Sequence, residues 1–173
     1  MAIHKRLLMI AATAGLCLGA ANLSCAQESA RSPAEWITLG ETVHGGFGSH
    51  IALGIRIGED ALRRLGAKPR EVEVLVTEGK DAPCACLSDG VMIATSASPG
   101  QRTLTLAPKS ADASFMAMVE VRKRATGAAV TYRVPASAIA PLTQMNPQKS
   151  PRERYDLVMA APAAQLYTVA ETK

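Results

Sequence analysis

The sequence predicts an α+β domain, with helices packed on one mixed, mainly antiparallel sheet. Two observations carry that expectation. Helical signals between Ser32 and Ser96 enclose a single alternating strand, and three strand candidates then follow one another across short polar or glycine-containing connections.

The first helix opens at Ser32-Pro33-Ala34-Glu35. A hydroxyl at the N-cap, proline at the first helical position and a carboxylate at the third together deal with the free N–H groups of a first turn. It runs to about Val43, and Gly45-Gly46 ends it. In the second helix Ile51, Ile55, Leu62 and Leu65 recur at helical spacing, Arg56, Glu59, Arg63 and Arg64 lie elsewhere, and Gly66 terminates the run. Gly54 and Gly58 sit one turn apart inside it. An interior glycine costs about 1 kcal/mol relative to alanine, so the pair implies close approach of another backbone or of a ligand.

Glu71–Thr77 alternates charged and aliphatic residues and reads as a strand. Leu87–Ser96 reads as a short buried helix with Val91, Met92 and Thr95 inward, and Pro99-Gly100 marks a turn. The strand candidates are Arg102–Leu106, Ser114–Arg122 and Ala129–Val134, the last two joined as a hairpin through Ala125-Thr126-Gly127. A last helix, about Pro151–Ala160, is capped by Ser150, and Gln165–Val169 adds a short edge strand. The core order is α-β-α-β-β-β.

At 173 residues the chain has room for one domain, and 48% hydrophobic content is too high for a disordered polymer. Residues 1–26 read as an address. Lys5 and Arg6 precede an apolar run from Leu7 to about Ala21, and Ser24-Cys25-Ala26 forms a small-residue exit, which together make a secretory signal peptide. The run is shorter than the roughly 20 residues a membrane span needs, so no stable membrane insertion is expected. A lipidated variant would use Cys25, but Asn22 stands where an aliphatic residue is expected. Export to the periplasm or the medium leaves residues 27–173 as the mature domain, with 17 basic and 15 acidic residues. That balance gives no reason to expect nucleic acid as a partner.

The chemistry-bearing residues are His44, His50, Cys84, Cys86 and Asp89. Cys84 and Cys86 are the only cysteines after residue 26, and a disulfide across so small a loop closes almost no chain. Their spacing therefore suggests metal or redox chemistry, with a strained disulfide or two bystander thiols as the alternatives. His50 stands at the start of the glycine-bearing helix, where the helix dipole disfavours an imidazolium. Cys86 precedes a helix start, an environment that activates a thiol. No Ser-His-Asp, phosphate-loop or dinucleotide signature is present.

Phe47-Gly48-Ser49-His50-Ile51-Ala52-Leu53-Gly54, continued by Gly58 and Ala61-Leu62, resembles the opening motif of the FmdE family of formylmethanofuran dehydrogenase operons, F-H-G-H-x-C-P-G-x-x-x-G. Cys86 to Gly100 is similar, without a gap, to the family's C-A-V-D-A-I-Q-V-L-T-G-C-T-x-G. Asp156-Leu157-Val158-Met159 through Pro162 and Leu166-Tyr167 is similar to its late helix and L-F step. The resemblance implies a commonly dimeric fold holding a metal, often zinc, on His and Cys residues. Here His50 matches the second family His, and Cys86 and Asp89 match the Cys and Asp of the second motif. Ala52 and Ala97 replace two family cysteines, Gly48 the first His and Leu53 the proline.

These residues lead to an exported, accessory domain that binds a metal ion or a small ligand. The expected metal set is His44, His50, Cys84 and Cys86. Zinc is the first candidate, and Cu(I) the alternative suggested by Met92, Met116, Met118, Met145 and Met159; the metal could also be lost. Gly54, Gly58, Asp89 and Thr95 would then line an organic ligand. A thiol redox protein or enzyme is the rival, with Cys86 as nucleophile and Cys84 resolving it. A core poor in aromatic residues, with only two Phe, three Tyr and one Trp, points to a homodimer.

Overall fold

The structure, a computed structural model, describes residues 31–172. The expected signal peptide lies outside the described residues. Helix α1 spans Pro33–His44, α2 Ser49–Leu65 and α3 Cys86–Thr95; β1 spans Val72–Glu78, β2 Leu104–Leu106, β3 Phe115–Lys123 and β4 Ala129–Pro135. A 3-10 turn at Ala136–Ala138 leads into α4, Ile139–Gln148, followed by α5, Pro151–Ala160, α6, Ala163–Leu166, and β5, Thr168–Thr172.

The five strands form one sheet in the order β2-β1-β3-β4-β5. Only β1 and β2 are parallel, because α3 carries the chain across between them; the other three pairings are antiparallel. Alternation places Val72, Val74 and Val76 of β1, Ala117, Val119 and Val121 of β3, and Val130, Tyr132 and Val134 of β4 in the core. These side chains meet α2, whose buried face includes Ile51, Leu53, Ile55, Ile57 and Ala61.

The helix ends follow their signals. Ser32 and Glu35 form a full capping box on α1, Ser150 and Glu153 form another on α5, and Gly45 and Gly66 close α1 and α2 with left-handed φ of 85° and 52°. Two elements depart from expectation. Helix α4 is not among the elements expected from the sequence; it accommodates Pro141 in its first turn, where no N–H is needed, and Pro147 next to its end. The expected strand at Gln165–Val169 is instead α6 followed by β5, shifted three residues onward.

Helix α2 is held from both ends by other elements. Gly48 has no side chain with which to cap it, and Asn146 of α4 takes that role: its Oδ1 accepts from the Ser49 backbone N–H at 3.0 Å and from the Ser49 hydroxyl at 3.2 Å. At the other end Lys123 Nζ donates to the carbonyls of Leu65 and Gly66, at 3.2 and 2.7 Å. Arg56, on the expected polar face, instead donates to the carbonyls of Val158 and Ala161, where α5 ends.

Candidate functional site

The two interior glycines of α2 face α3. A Cβ on Gly54 would overlap the Leu87 carbonyl oxygen and lie 2.9 Å from both Gly90 Cα and Val91 N; one on Gly58 would lie 2.6 Å from Ala94 Cβ. Of the two openings the sequence left for these glycines, helix packing is the one realised: backbone of α3 fills the approach where a ligand was expected. Thr95 is likewise engaged in the fold. It is buried, its hydroxyl donates to the Val91 carbonyl at 2.7 Å, and it accepts from Ala97 N–H.

Gly54 meets Gly90 and, one turn on, Gly58 meets Ala94, so α2 and α3 run in the same direction. One turn back, the same offset sets His50 level with Cys86. The first turns of both helices, and their partial positive charges, therefore lie at one end of the pair. Helix α1 ends there too, since His44 Nδ1 lies 2.7 Å from Asp89 Oδ2 in the first turn of α3.

His50 is 4% exposed, and its Nε2 is buried without a hydrogen-bond partner. Burial holds its imidazole below the ordinary histidine range, so the ring is neutral and keeps a lone pair. Asp89 is three residues from Cys86 on the same helix face, and its carboxylate is taken by His44.

Cys84 and Cys86 are joined in a disulfide, the outcome the sequence made the lesser alternative. The turn through Ala85, where α3 starts, brings their Cα atoms to 5.3 Å, inside the span a disulfide bridges. In this oxidised form neither sulfur is a thiolate, and among the described residues no three His, Cys, Asp or Glu side chains are grouped as a metal's ligands. The residues therefore do not fit a metal while the bond is closed. Four of the five methionines named as alternative ligands serve packing in the described fold: Met116 is core, and Met92, Met145 and Met159 pack against it.

A polar network on the opposite flank has no counterpart in the sequence reading. The Tyr132 hydroxyl donates to Asp60 Oδ2 at 2.7 Å, Arg64 Nε donates to the same oxygen at 2.6 Å, Arg63 pairs with Oδ1, and Arg64 reaches Glu171 of β5. Burial and the Asp60 carboxylate push the Tyr132 phenol far above its usual range. Burial alone would raise Asp60, but the hydrogen bonds from Arg64 and Tyr132 outweigh it and hold the carboxyl low. The signal for it was a lone Tyr in a strand opposite a helical Asp, which sequence cannot pair.

The fold is a two-layer α+β domain in which His50 and Cys86 stand in the first turns of a parallel, glycine-seamed helix pair. The family model FmdE, described as molybdenum formylmethanofuran dehydrogenase operon, matches residues 43–173, and the chain belongs to that family. Among solved structures it is similar to a tungsten formylmethanofuran dehydrogenase FmdE-like protein from Syntrophus aciditrophicus. The TM-score is 0.55 at 18% identity, over 83% of this chain and 73% of that one, a likeness of fold. No curated protein matches the chain.

Proposed function

We propose that this chain is an exported accessory domain of its family that binds a metal ion or a small ligand at the joined N-terminal ends of α2 and α3, without turnover of its own. The observation that carries the reading is the buried, neutral His50, whose Nε2 has no protein partner and which stands level with Cys86. An unsatisfied buried nitrogen costs about 1–3 kcal/mol, and a ligand would remove that cost. The donor set is complete only in the dithiol form, with His50, Cys84 and Cys86 joined by His44 once it leaves Asp89. Sulfur and imidazole suit zinc first and Cu(I) second. Export is supported by the basic and apolar leader and by the disulfide itself, which persists in oxidising compartments.

Metal analysis of tag-free protein, reduced and then freed of reductant under argon, tests the reading. One equivalent of zinc or copper is expected, with affinity falling at least about tenfold in His50→Ala and Cys86→Ala. Reduced wild-type protein that takes up no stoichiometric zinc, copper or iron overturns the metal version.

A further inference from the structure

We propose that the Cys84–Cys86 disulfide is a thiol–disulfide exchange site whose partner is a protein dithiol, and that exchange opens and closes the donor cluster. This rests on the binding reading above and adds its regulation. Three observations carry it. The bond joins residues two apart, so it ties no distant elements together, and closing so short a loop constrains the unfolded chain about half as much as a 15-residue loop would. Such a bond is a poor staple. Ala85 between the sulfurs is exposed and both cysteines are partly exposed, so an incoming thiolate has access. Cys86 is the first residue of α3, and Ala85 offers no side-chain cap there, so a negative charge on the Cys86 sulfur would sit at the positive end of the α3 dipole.

The direction of exchange follows. The partner thiolate attacks Cys84 Sγ, the S–S bond breaks, and its electron pair leaves on Cys86 Sγ at the helix terminus. The partner's second thiolate then attacks the partner sulfur of the mixed disulfide and releases Cys84. The partner dithiol is oxidised to a disulfide, and its two electrons and two protons reduce this chain to two thiols. Closure is the reverse, with Cys86 attacking the mixed disulfide at Cys84. Opened, the chain offers two sulfurs at the same end of the helix pair as the buried, unpartnered Nε2 of His50; closed, it offers neither.

The test uses the purified protein with reduced glutathione, whose first mixed disulfide is trapped by rapid acid quench before further exchange and located by peptide mapping. The adduct is expected on Cys84 at least about fivefold over Cys86, because the better-stabilised thiolate leaves. Dithiothreitol should then yield two titratable thiols with the far-UV spectrum unchanged. The Cys84→Ser/Cys86→Ser double variant should melt within a few degrees of wild type. An adduct favouring Cys86, thiols that appear only on unfolding, or a large loss of melting temperature in the double variant would overturn the proposal. The two readings fail separately. Native exchange in a protein whose reduced form takes no zinc removes the binding reading alone, and zinc uptake by a protein whose disulfide opens only on unfolding removes the exchange site alone.

Discussion

Gly54→Ala tests the seam on which the site is built. Considered as a helix residue alone, alanine would stabilise α2 by about 1 kcal/mol. The structure reverses the sign. The new Cβ overlaps the Leu87 carbonyl oxygen and stands 2.9 Å from Gly90 Cα and Val91 N, all backbone atoms with no rotamer to escape into. The helices must part by roughly an ångström to restore contact near 3.5 Å, loosening Ile51, Ile55, Leu87 and Val91 together. Overpacking costs typically about 1–3 kcal/mol and more where backbone must move. Because backbone must move here, a gross cost of about 3–5 kcal/mol is expected, and after the propensity gain of about 1 kcal/mol a net loss of about 2–4 kcal/mol, or about 5–15 °C in melting temperature. Thermal and urea melts followed by circular dichroism read it. Gly100→Ala is the control, since its nearest neighbour would be 4.0 Å away. A Gly54→Ala protein within about 0.5 kcal/mol of wild type would refute the packing argument.

Burial lowers the His50 proton affinity in the fold, so the unfolded chain binds more protons below about pH 6.5. The contribution of a neutral His50 to stability is therefore complete above that pH and is lost as pH falls through the lower folded value. Urea midpoints between pH 7 and 5 should decline in wild type and decline less in His50→Gln, and parallel slopes would refute the assignment. Tyr132→Phe removes the hydroxyl that donates to Asp60 and should cost about 1.5–3 kcal/mol, measured by urea melts, because the acceptor is charged and half-buried. Ser150→Ala breaks the α5 capping box for a loss of about 1 kcal/mol in the same assay. Light scattering should give twice the chain mass at micromolar concentration. The large apolar side chains of Leu75 and Leu106, 41% and 52% exposed on the neighbouring strands β1 and β2, invite a second copy; a monomer would sink this expectation.

Local rules made most of the fold legible. Capping boxes at Ser32 and Ser150, left-handed glycines at 45 and 66, and alternation in β1 each depend on residues within a turn or two of one another. Helix α4 escaped because its prolines matter only by position within the helix, and no local pattern told where the helix began. The same blindness hid Asn146 and Arg56. Their partners lie about a hundred residues away in sequence, and a polar residue's distant partner leaves no periodic trace.

The site was legible only in part. That Gly54 and Gly58 required something close was readable from propensity alone; that the something is α3 followed only once Gly90 was placed against them. The offset that seats Gly54 on Gly90 is also what brings His50 level with Cys86. The glycines thus locate the site without taking part in it. What the cysteines do there is a different kind of question, because a spacing of two is compatible with two ligands or with one bond, and the turn at Ala85 allows the bond. Oxidation state decides between them, and it belongs to the surroundings of the chain as much as to its residues. In the exchange proposed above, the number of donors this chain presents depends on the redox partner it meets.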